Sequence, residues 1–520
     1  MQHSILVGLL AFALATGAAF AADEKDDPSA DKGDNKELVP VPPPRADKTQ
    51  HEIRLGGQVL KYTATVGWLI LNDKKTDKPI ARFGYTAYTL DGVKDPARRP
   101  ITFAFNGGPG SASIWLHMGV LGPRRVVVND GGYAPPPPVQ LVDNEYSILD
   151  ATDLVMIDPV GTGFSKPVGE AKGEDFWGVD QDIESVGDFI RRYVTENGRW
   201  GSPKYVLGES YGGVRGSGLA NHLQAKLGMN LNGLILVSPY FGLMSGNDGM
   251  GIDLPHVLYV STFAATAWYY DAIPNKPASL EAFTSEVERF AIEEYAPALL
   301  KGYAIRAEEK QAIAEKLARY TGTSATFWLR ADLRVAHQQY LQELLRDRGL
   351  IAGRIDSRFS GPSLNPLNDR MDYDPFFPAV GPAYTAAFRD YLHSELKFDV
   401  PDEYVVSGAL YKKWDWRHEQ PGTEGGENNK VPVTNVLPDL ANAMTMNPGL
   451  HLLVEQGYYD LATPTHALKY NLNQLRLTPE TRGRIRVNYH GAGHMMYLHE
   501  DSARSFRESV VGFIRETDRL

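Results

Sequence analysis

Tyr205-Val206-Leu207-Gly208-Glu209-Ser210-Tyr211-Gly212 runs from an apolar stretch into a segment of small residues, Gly213 to Leu219. The first part reads as a buried strand, the second as a helix able to pack closely. A serine between two glycines at such a strand-to-helix turn sits in a tight, strained conformation that lifts its hydroxyl off the sheet. The N-terminus of the following helix then faces any negative charge that develops there. In a chain with 50 glycines the same pattern also arises by chance in surface loops. Its meaning therefore rests on its context.

That context is a series of short apolar runs bounded by glycine or proline: Ile101 to Phe105, Leu154 to Ile157, Tyr205 to Leu207, Leu234 to Val237, Leu450 to Val454 and Ile485 to Tyr489. Continuous apolar runs with helical stretches between them predict a mostly parallel sheet covered on both faces, an α/β architecture. Asp182 to Val194 supplies one such helix, with Ile183, Val186, Phe189 and Ile190 on one side. Gln58 to Leu71 and Ile80 to Leu90 alternate and predict antiparallel strands at a sheet edge. From Gly242 to Val431 the strand pattern stops. Leu280 to Tyr295, Arg306 to Tyr320 and Phe327 to Arg348 read instead as helices, an inserted cap before the last two core strands. The expected divisions are core at 51–241, cap at 242–431 and core again at 432–520.

The 520 residues are 43% hydrophobic, enough to bury a large core. Lys and Arg number 53 against 64 Asp and Glu, a net charge of −11 without a basic block. That balance argues against a nucleic-acid or anionic-membrane partner. Ile5 to Phe20 is apolar or small and ends at Ala19-Phe20-Ala21, so residues 1–21 read as a secretory signal peptide whose removal leaves no membrane span. Residues 22–50 are charged and proline-rich and read as a disordered linker. No cysteine is present, which excludes disulfides, a cysteine lipid anchor and thiolate metal sites. Export without cysteine points to a bacterial envelope protein, periplasmic or extracellular. Gly161-Thr162-Gly163-Phe164-Ser165-Lys166 lacks the third glycine of a nucleotide loop, and no H-E-x-x-H or metal-spaced cluster occurs. Neither cofactor nor metal is expected.

A serine hydroxyl is a poor nucleophile near neutral pH, so Ser210 needs a base, and the base an orienting carboxylate. In α/β-hydrolases these follow in the order Ser, acid, His, on loops after core strands. The run ending at Val454 leads to Gly457-Tyr458-Tyr459-Asp460, and the last run leads to His490-Gly491-Ala492-Gly493-His494. Glu455 and His490 stand as alternatives. Asp460 is preferred because a glycine turn aims it, and His494 because small neighbours free its loop to reach Ser210. The oxyanion hole requires the amide after the nucleophile, that of Tyr211, and a second from Asn106-Gly107-Gly108-Pro109-Gly110, which directly follows a core run.

Several motifs in order resemble the serine carboxypeptidase family of α/β-hydrolases. They are Asn106-Gly107-Gly108-Pro109-Gly110-Ser111, Leu121-Gly122-Pro123, Asp158-Pro159-Val160-Gly161-Thr162-Gly163-Phe164-Ser165, Gly208-Glu209-Ser210-Tyr211-Gly212, Asp460 and Gly491-Ala492-Gly493-His494-Met495. The resemblance covers the core and little of the cap. It implies a Ser210-Asp460-His494 triad, oxyanion amides from Gly108 and Tyr211, and release of C-terminal residues from peptides with an acidic optimum. It also implies that Asn106 and Glu209 grip the substrate's terminal carboxylate, Glu209 sharing a proton with a second glutamate so that the pair can donate to another carboxylate. That second glutamate would stand before Leu121-Gly122-Pro123, where this chain has Val120. Ser111 stands where relatives have a disulfide-forming cysteine. Both departures resemble a bacterial branch of the family. The expected activity is a secreted serine-type carboxypeptidase acting on peptides. An esterase or acyltransferase on the same scaffold, and a non-catalytic binding protein, are the competing readings.

Overall fold

The computed structural model describes residues 38–242, 246, 249–423 and 429–518. The signal peptide expected at 1–21 and the linker as far as residue 37 lie outside the described residues. Nine strands make the central sheet: β1 (Arg45–Leu55), β2 (Gln58–Asn72), β3 (Pro79–Leu90), β4 (Ile101–Phe105), β5 (Asp153–Ile157), β6 (Lys204–Glu209), β7 (Gly233–Val237), β8 (His451–Gly457) and β9 (Ile485–His490). A short tenth, Lys166–Pro167, pairs beside β3. Their spatial order is β1-β2-β3-β5-β4-β6-β7-β8-β9. The first three strands and the β3–β5 junction are antiparallel, and every later pairing is parallel. The apolar runs of the sequence are these parallel strands; β4 to β7 are buried on both faces, β8 is buried beyond His451, and the edge strand β9 is mostly half-buried with Arg486 exposed.

Among the described residues the longer helices include α1 (Val179–Glu196), α2 (Gly212–Leu227), α3 (Leu254–Tyr269), α4 (Leu280–Phe290), α5 (Ala307–Thr321), α6 (Phe376–Ser394), α7 (Leu437–Met446) and α8 (Glu500–Thr517). Successive strand residues point to opposite faces, so Val206 and Leu236 enter one core and Leu207 and Ile235 the other. The first core meets α1, α2 and α7 through Ile183, Phe189, Val214 and Leu440. The second meets α6 and α8 through Tyr384, Phe388, Phe506 and Ile514.

Two expectations need correction. Residues 45–50, assigned by composition to the linker, are the first half of β1, paired with β2 from Arg45↔Trp68 onward; edge pairing orders a polar segment that buries little of itself. Phe327 to Arg348 is not one helix. It breaks into Ala325–Arg330, His337–Glu343 and a turn at Arg346–Arg348, with Asp332 and Leu333 in left-handed backbone between the first two. The apolar spacing carries on across the break because Trp328, Leu333 and Tyr340 all enter one cluster. The inserted block divides its packing between two clusters. Residues 257–352 form their own apolar cluster around Phe263, Val287, Leu317 and Trp328, whereas α6 packs into the core beneath the sheet.

One buried ion pair ties two covering helices to the loop after β4. Arg215 on α2 is 0% exposed; its Nε donates to Asp182 of α1 at 2.7 Å, and its Nη1 to the Asn106 carbonyl at 2.8 Å. Removing the carboxylate leaves a buried cation uncompensated, which typically costs about 3–5 kcal/mol. Asp182→Ala should therefore lower unfolding stability by roughly that amount in urea titrations, and a loss of less than about 1 kcal/mol would contradict this account.

Candidate active site

The register Phe105↔Gly208↔Leu236↔Val454↔Val487 sets the C-terminal ends of β4, β6, β7, β8 and β9 level. The loops carrying Asn106, Ser210, Ser238, Asp460 and His494 thus open on one sheet edge, where ligands bind in open parallel sheets. Ser210 has a φ of 63°, a left-handed conformation unusual for a residue with a side chain. Its N–H donates to Val237 at 3.0 Å, and its carbonyl accepts from Gly213 at 2.8 Å and Tyr240 at 2.9 Å. Its own hydroxyl makes no hydrogen bond among the described residues and the residue is half-buried.

Asp460 and His494 meet directly. His494 Nδ1 lies 2.7 Å from Asp460 Oδ2, with both side chains buried. Asp460 also accepts from the Ala462 and Thr463 amides at 2.8 and 2.9 Å and from the Thr463 hydroxyl at 2.6 Å. That shell fixes the carboxylate, and the carboxylate fixes the ring so that Nε2 is left for other partners. Burial opposes a charge on His494, but the Asp460 carboxylate and nearby Glu209 outweigh it and raise the imidazole above its ordinary value. The Ser210 loop reaches this pair through its neighbour strand. Ser238, next to the Val237 that holds Ser210, donates its hydroxyl to the His494 carbonyl at 2.8 Å. The alternatives Glu455 and His490 pair with each other at 2.6 Å, and Asn488 and Ser509 fill the remaining Glu455 oxygen.

The amides of Gly108 and Tyr211 have no hydrogen-bond partner among the described residues. The loops that carry them touch: a Cβ added to Gly107 would lie 2.4 Å from the Tyr211 nitrogen, so only glycine allows this approach. Gly108 is exposed. Tyr211 is pinned from behind, its hydroxyl accepting from Trp414 Nε1 of the inserted block at 3.1 Å.

Glu209 is buried beside the nucleophile position. Its Oε1 accepts from Asn106 Nδ2 at 2.8 Å and its Oε2 from the Tyr497 hydroxyl at 2.7 Å. Burial pushes its carboxyl up to about 7; His494, Tyr497 and Asn106 pull the other way without cancelling it. Asn106 Oδ1 accepts the Leu116 N–H at 3.0 Å, which turns Nδ2 toward Glu209. Val120 points into the apolar core, and Tyr497 is the group that meets Glu209.

Sequence reasoning missed Thr463, Tyr497 and the loop around Asp356. Thr463 was legible only as the third residue past Asp460, and Tyr497 as the third past His494. The Asp356 loop belongs to the inserted block and reaches both functional loops. Its Ile355 carbonyl accepts His494 N–H at 2.8 Å, its Arg354 carbonyl accepts Leu461 N–H at 3.0 Å, and Asp356 Oδ2 accepts Gly493 N–H at 3.1 Å.

The sheet order, the elbow and the loop positions define the α/β-hydrolase fold. Residues 85–261 match the serine carboxypeptidase family model. Serine carboxypeptidase-like 36 of Arabidopsis thaliana is 31% identical over 170 residues, 31% of this chain and 33% of that protein. Serine carboxypeptidase-like 33 of the same plant is 31% identical over 158 residues, 28% of this chain and 31% of that protein. The matched stretch spans about a third of these relatives' length. The fold is similar to that of Kex1(delta)p, a prohormone-processing carboxypeptidase of Saccharomyces cerevisiae. The TM-score is 0.51 at 15% identity, covering 88% of this chain and 91% of that one. Asn106, Gly108, Glu209, Ser210 and Tyr211 lie within the family match; Asp460 and His494 lie outside it and join the site through geometry.

The Glu209 carboxyl keeps its proton to about 7 in the fold, against an ordinary value of 4.5. The folded state thus holds the more protons between those values, and its contribution to stability, complete below the lower one, is lost as pH rises through the upper. Subtracting the pH–stability curve of Glu209→Gln from that of the wild type should isolate this decline. Parallel curves across that window would refute the raised value.

Proposed function

We propose that this chain is a serine-type carboxypeptidase. The observation that carries the reading is the Asp460–His494 pair at 2.7 Å, on the sheet edge where Ser210 stands in its left-handed turn. In this mechanism a peptide lies with its last bond over Ser210. His494 Nε2 takes the serine proton as Oγ attacks the carbonyl carbon, and Asp460 stabilises the imidazolium through Nδ1. The negative oxygen of the tetrahedral intermediate is held by the free amides of Gly108 and Tyr211 at the start of α2. His494 then protonates the departing amine, and water resolves the acyl-enzyme by the same route in reverse.

Recognition of a C-terminal carboxylate is supported by Asn106 and Glu209, joined at 2.8 Å immediately before the nucleophile. A protonated Glu209 tolerates the substrate's negative charge, and an ionised one repels it. Glu209 and His494 titrate as a coupled pair: while Glu209 keeps its proton, His494 loses one source of its raised value and is more readily neutral. The proposal extends to an exported protein, periplasmic or extracellular. No described helix is long and apolar enough to cross a membrane.

A serine-directed phosphonate should label the wild type, and Ser210→Ala should lose labelling and roughly a thousandfold or more of turnover. Labelling that persists in the variant would sink the assignment of Ser210. On an N-blocked dipeptide with a free carboxylate, kcat/KM should fall as pH rises through about 7, whereas the C-terminal amide should lack that limb. Equal rates and equal profiles on the two substrates would favour a less selective acyl hydrolase.

A further inference from the structure

We infer that Tyr497 is a specificity-determining residue: its hydroxyl, backed by Glu209, donates a hydrogen bond to the C-terminal carboxylate of the peptide. The inference rests on the carboxypeptidase reading and names the group that replaces a second carboxyl in this chain. Tyr497 Oη lies 2.7 Å from Glu209 Oε2, and Asn106 Nδ2 lies 2.8 Å from Glu209 Oε1. The three side chains are 5%, 3% and 1% exposed respectively, a built polar cluster with no solvent to compete.

The fold makes room for this tyrosine at the place the turn before Leu121-Gly122-Pro123 would otherwise fill. A Cβ added to Gly119 would lie 2.4 Å from the Tyr497 ring and 2.9 Å from the Tyr384 hydroxyl. The neighbouring Val120 is 0% exposed and packs in the apolar core. The ring therefore occupies the space beside the turn and carries its hydroxyl to Glu209.

A phenol has one proton to donate and lone pairs to accept with, so its direction depends on Glu209. When Glu209 is protonated, its O–H donates to Tyr497 Oη, and the tyrosine proton is turned outward to the substrate carboxylate. When Glu209 is ionised, Tyr497 donates back to it, no proton is left for the substrate, and the new charge repels the peptide. No bond to carbon forms or breaks in this exchange; only the direction of two hydrogen bonds changes. The groups facing Glu209 are His494 and Tyr497 from the loop after β9, Asp460 from the loop after β8, Asn106 from the loop after β4 and Tyr384 from α6. Of these only His494 can take up a positive charge, and Asp460 lies 2.7 Å from its Nδ1.

The test compares an N-blocked dipeptide acid with its C-terminal amide on wild type, Tyr497→Phe and Glu209→Gln, from acidic to mildly alkaline pH. Tyr497→Phe should raise KM for the acid about tenfold or more, the worth of one hydrogen bond to a charged group, with a smaller change in kcat. The preference for acid over amide should fall by the same factor, and Glu209→Gln should lose the pH dependence of KM. If the wild type prefers the acid and Tyr497→Phe keeps that preference within about twofold, far short of the loss expected for such a bond, Tyr497 does not grip the carboxylate. If the wild type itself does not distinguish acid from amide while Ser210 still labels, the carboxypeptidase reading fails first and the inference falls with it. Should Tyr497→Phe not fold, wild type with isotope-labelled tyrosine decides. The Tyr497 ring resonance should move on adding an N-acetylated amino acid and stay fixed with its amide, and an unmoved resonance overturns the inference.

Discussion

Ser210 must hold a side chain at a φ of 63°, and the rest of the site is arranged around keeping it there. Such a conformation costs on the order of 1–3 kcal/mol and persists only where its surroundings over-determine it. Here the serine's backbone is held by Val237, Gly213 and Tyr240, so β7 and the start of α2 grip it from two sides. The Asn106 loop closes against the same turn at Gly107, and Arg215 reaches back from α2 to the Asn106 carbonyl at 2.8 Å. Elbow and Asn106 loop are therefore one unit. The Asp182–Arg215 pair that completes this unit is costly to desolvate, but its geometry fixes two free amides beside one hydroxyl.

Two carboxyls stand near that hydroxyl, and their surroundings push them toward different tasks. Asp460 is given three donors from its own turn besides His494, a shell that fixes the carboxylate against the imidazole. Glu209 is bonded to the neutral Asn106 and Tyr497 side chains at 2.8 and 2.7 Å in a buried site, and its proton is held to about 7. The two carboxyls are thus set apart by their partners, His494 and turn donors for Asp460, Asn106 and Tyr497 for Glu209.

The parts of this arrangement differ in how far they could be read from the sequence. The parallel strands were legible because burial on both faces demands unbroken apolar runs, and Ser210, Asp460 and His494 because each follows such a run in a fixed order. The β1 strand was not, since its inward positions are barely more apolar than its outward ones and its order comes from pairing with β2. The break after Arg330 was hidden because buried residues on both sides keep helical spacing. Tyr497 was invisible for another reason. A tyrosine three residues past a histidine has no pattern of its own, and its meaning appears only when Gly119 is seen to leave the space beside it.

The inserted block lies furthest from any sequence signal, yet part of it is bonded to the loops of the candidate site. Residues 354–357 hold the Asp460 loop and the His494 loop by backbone hydrogen bonds of 2.8 to 3.0 Å, and Asp356 adds a side-chain bond to Gly493. Trp414 caps Tyr211, and α6 brings Tyr384 beneath Glu209. Lifting the whole block to admit a peptide would thus release the acid and the base from each other's register. The cluster between residues 257 and 352 has a core of its own, and only Leu461 of the functional loops joins it. That division separates the two halves of the insertion: the second is tied to the Asp460 and His494 loops, and the first packs around a core of its own.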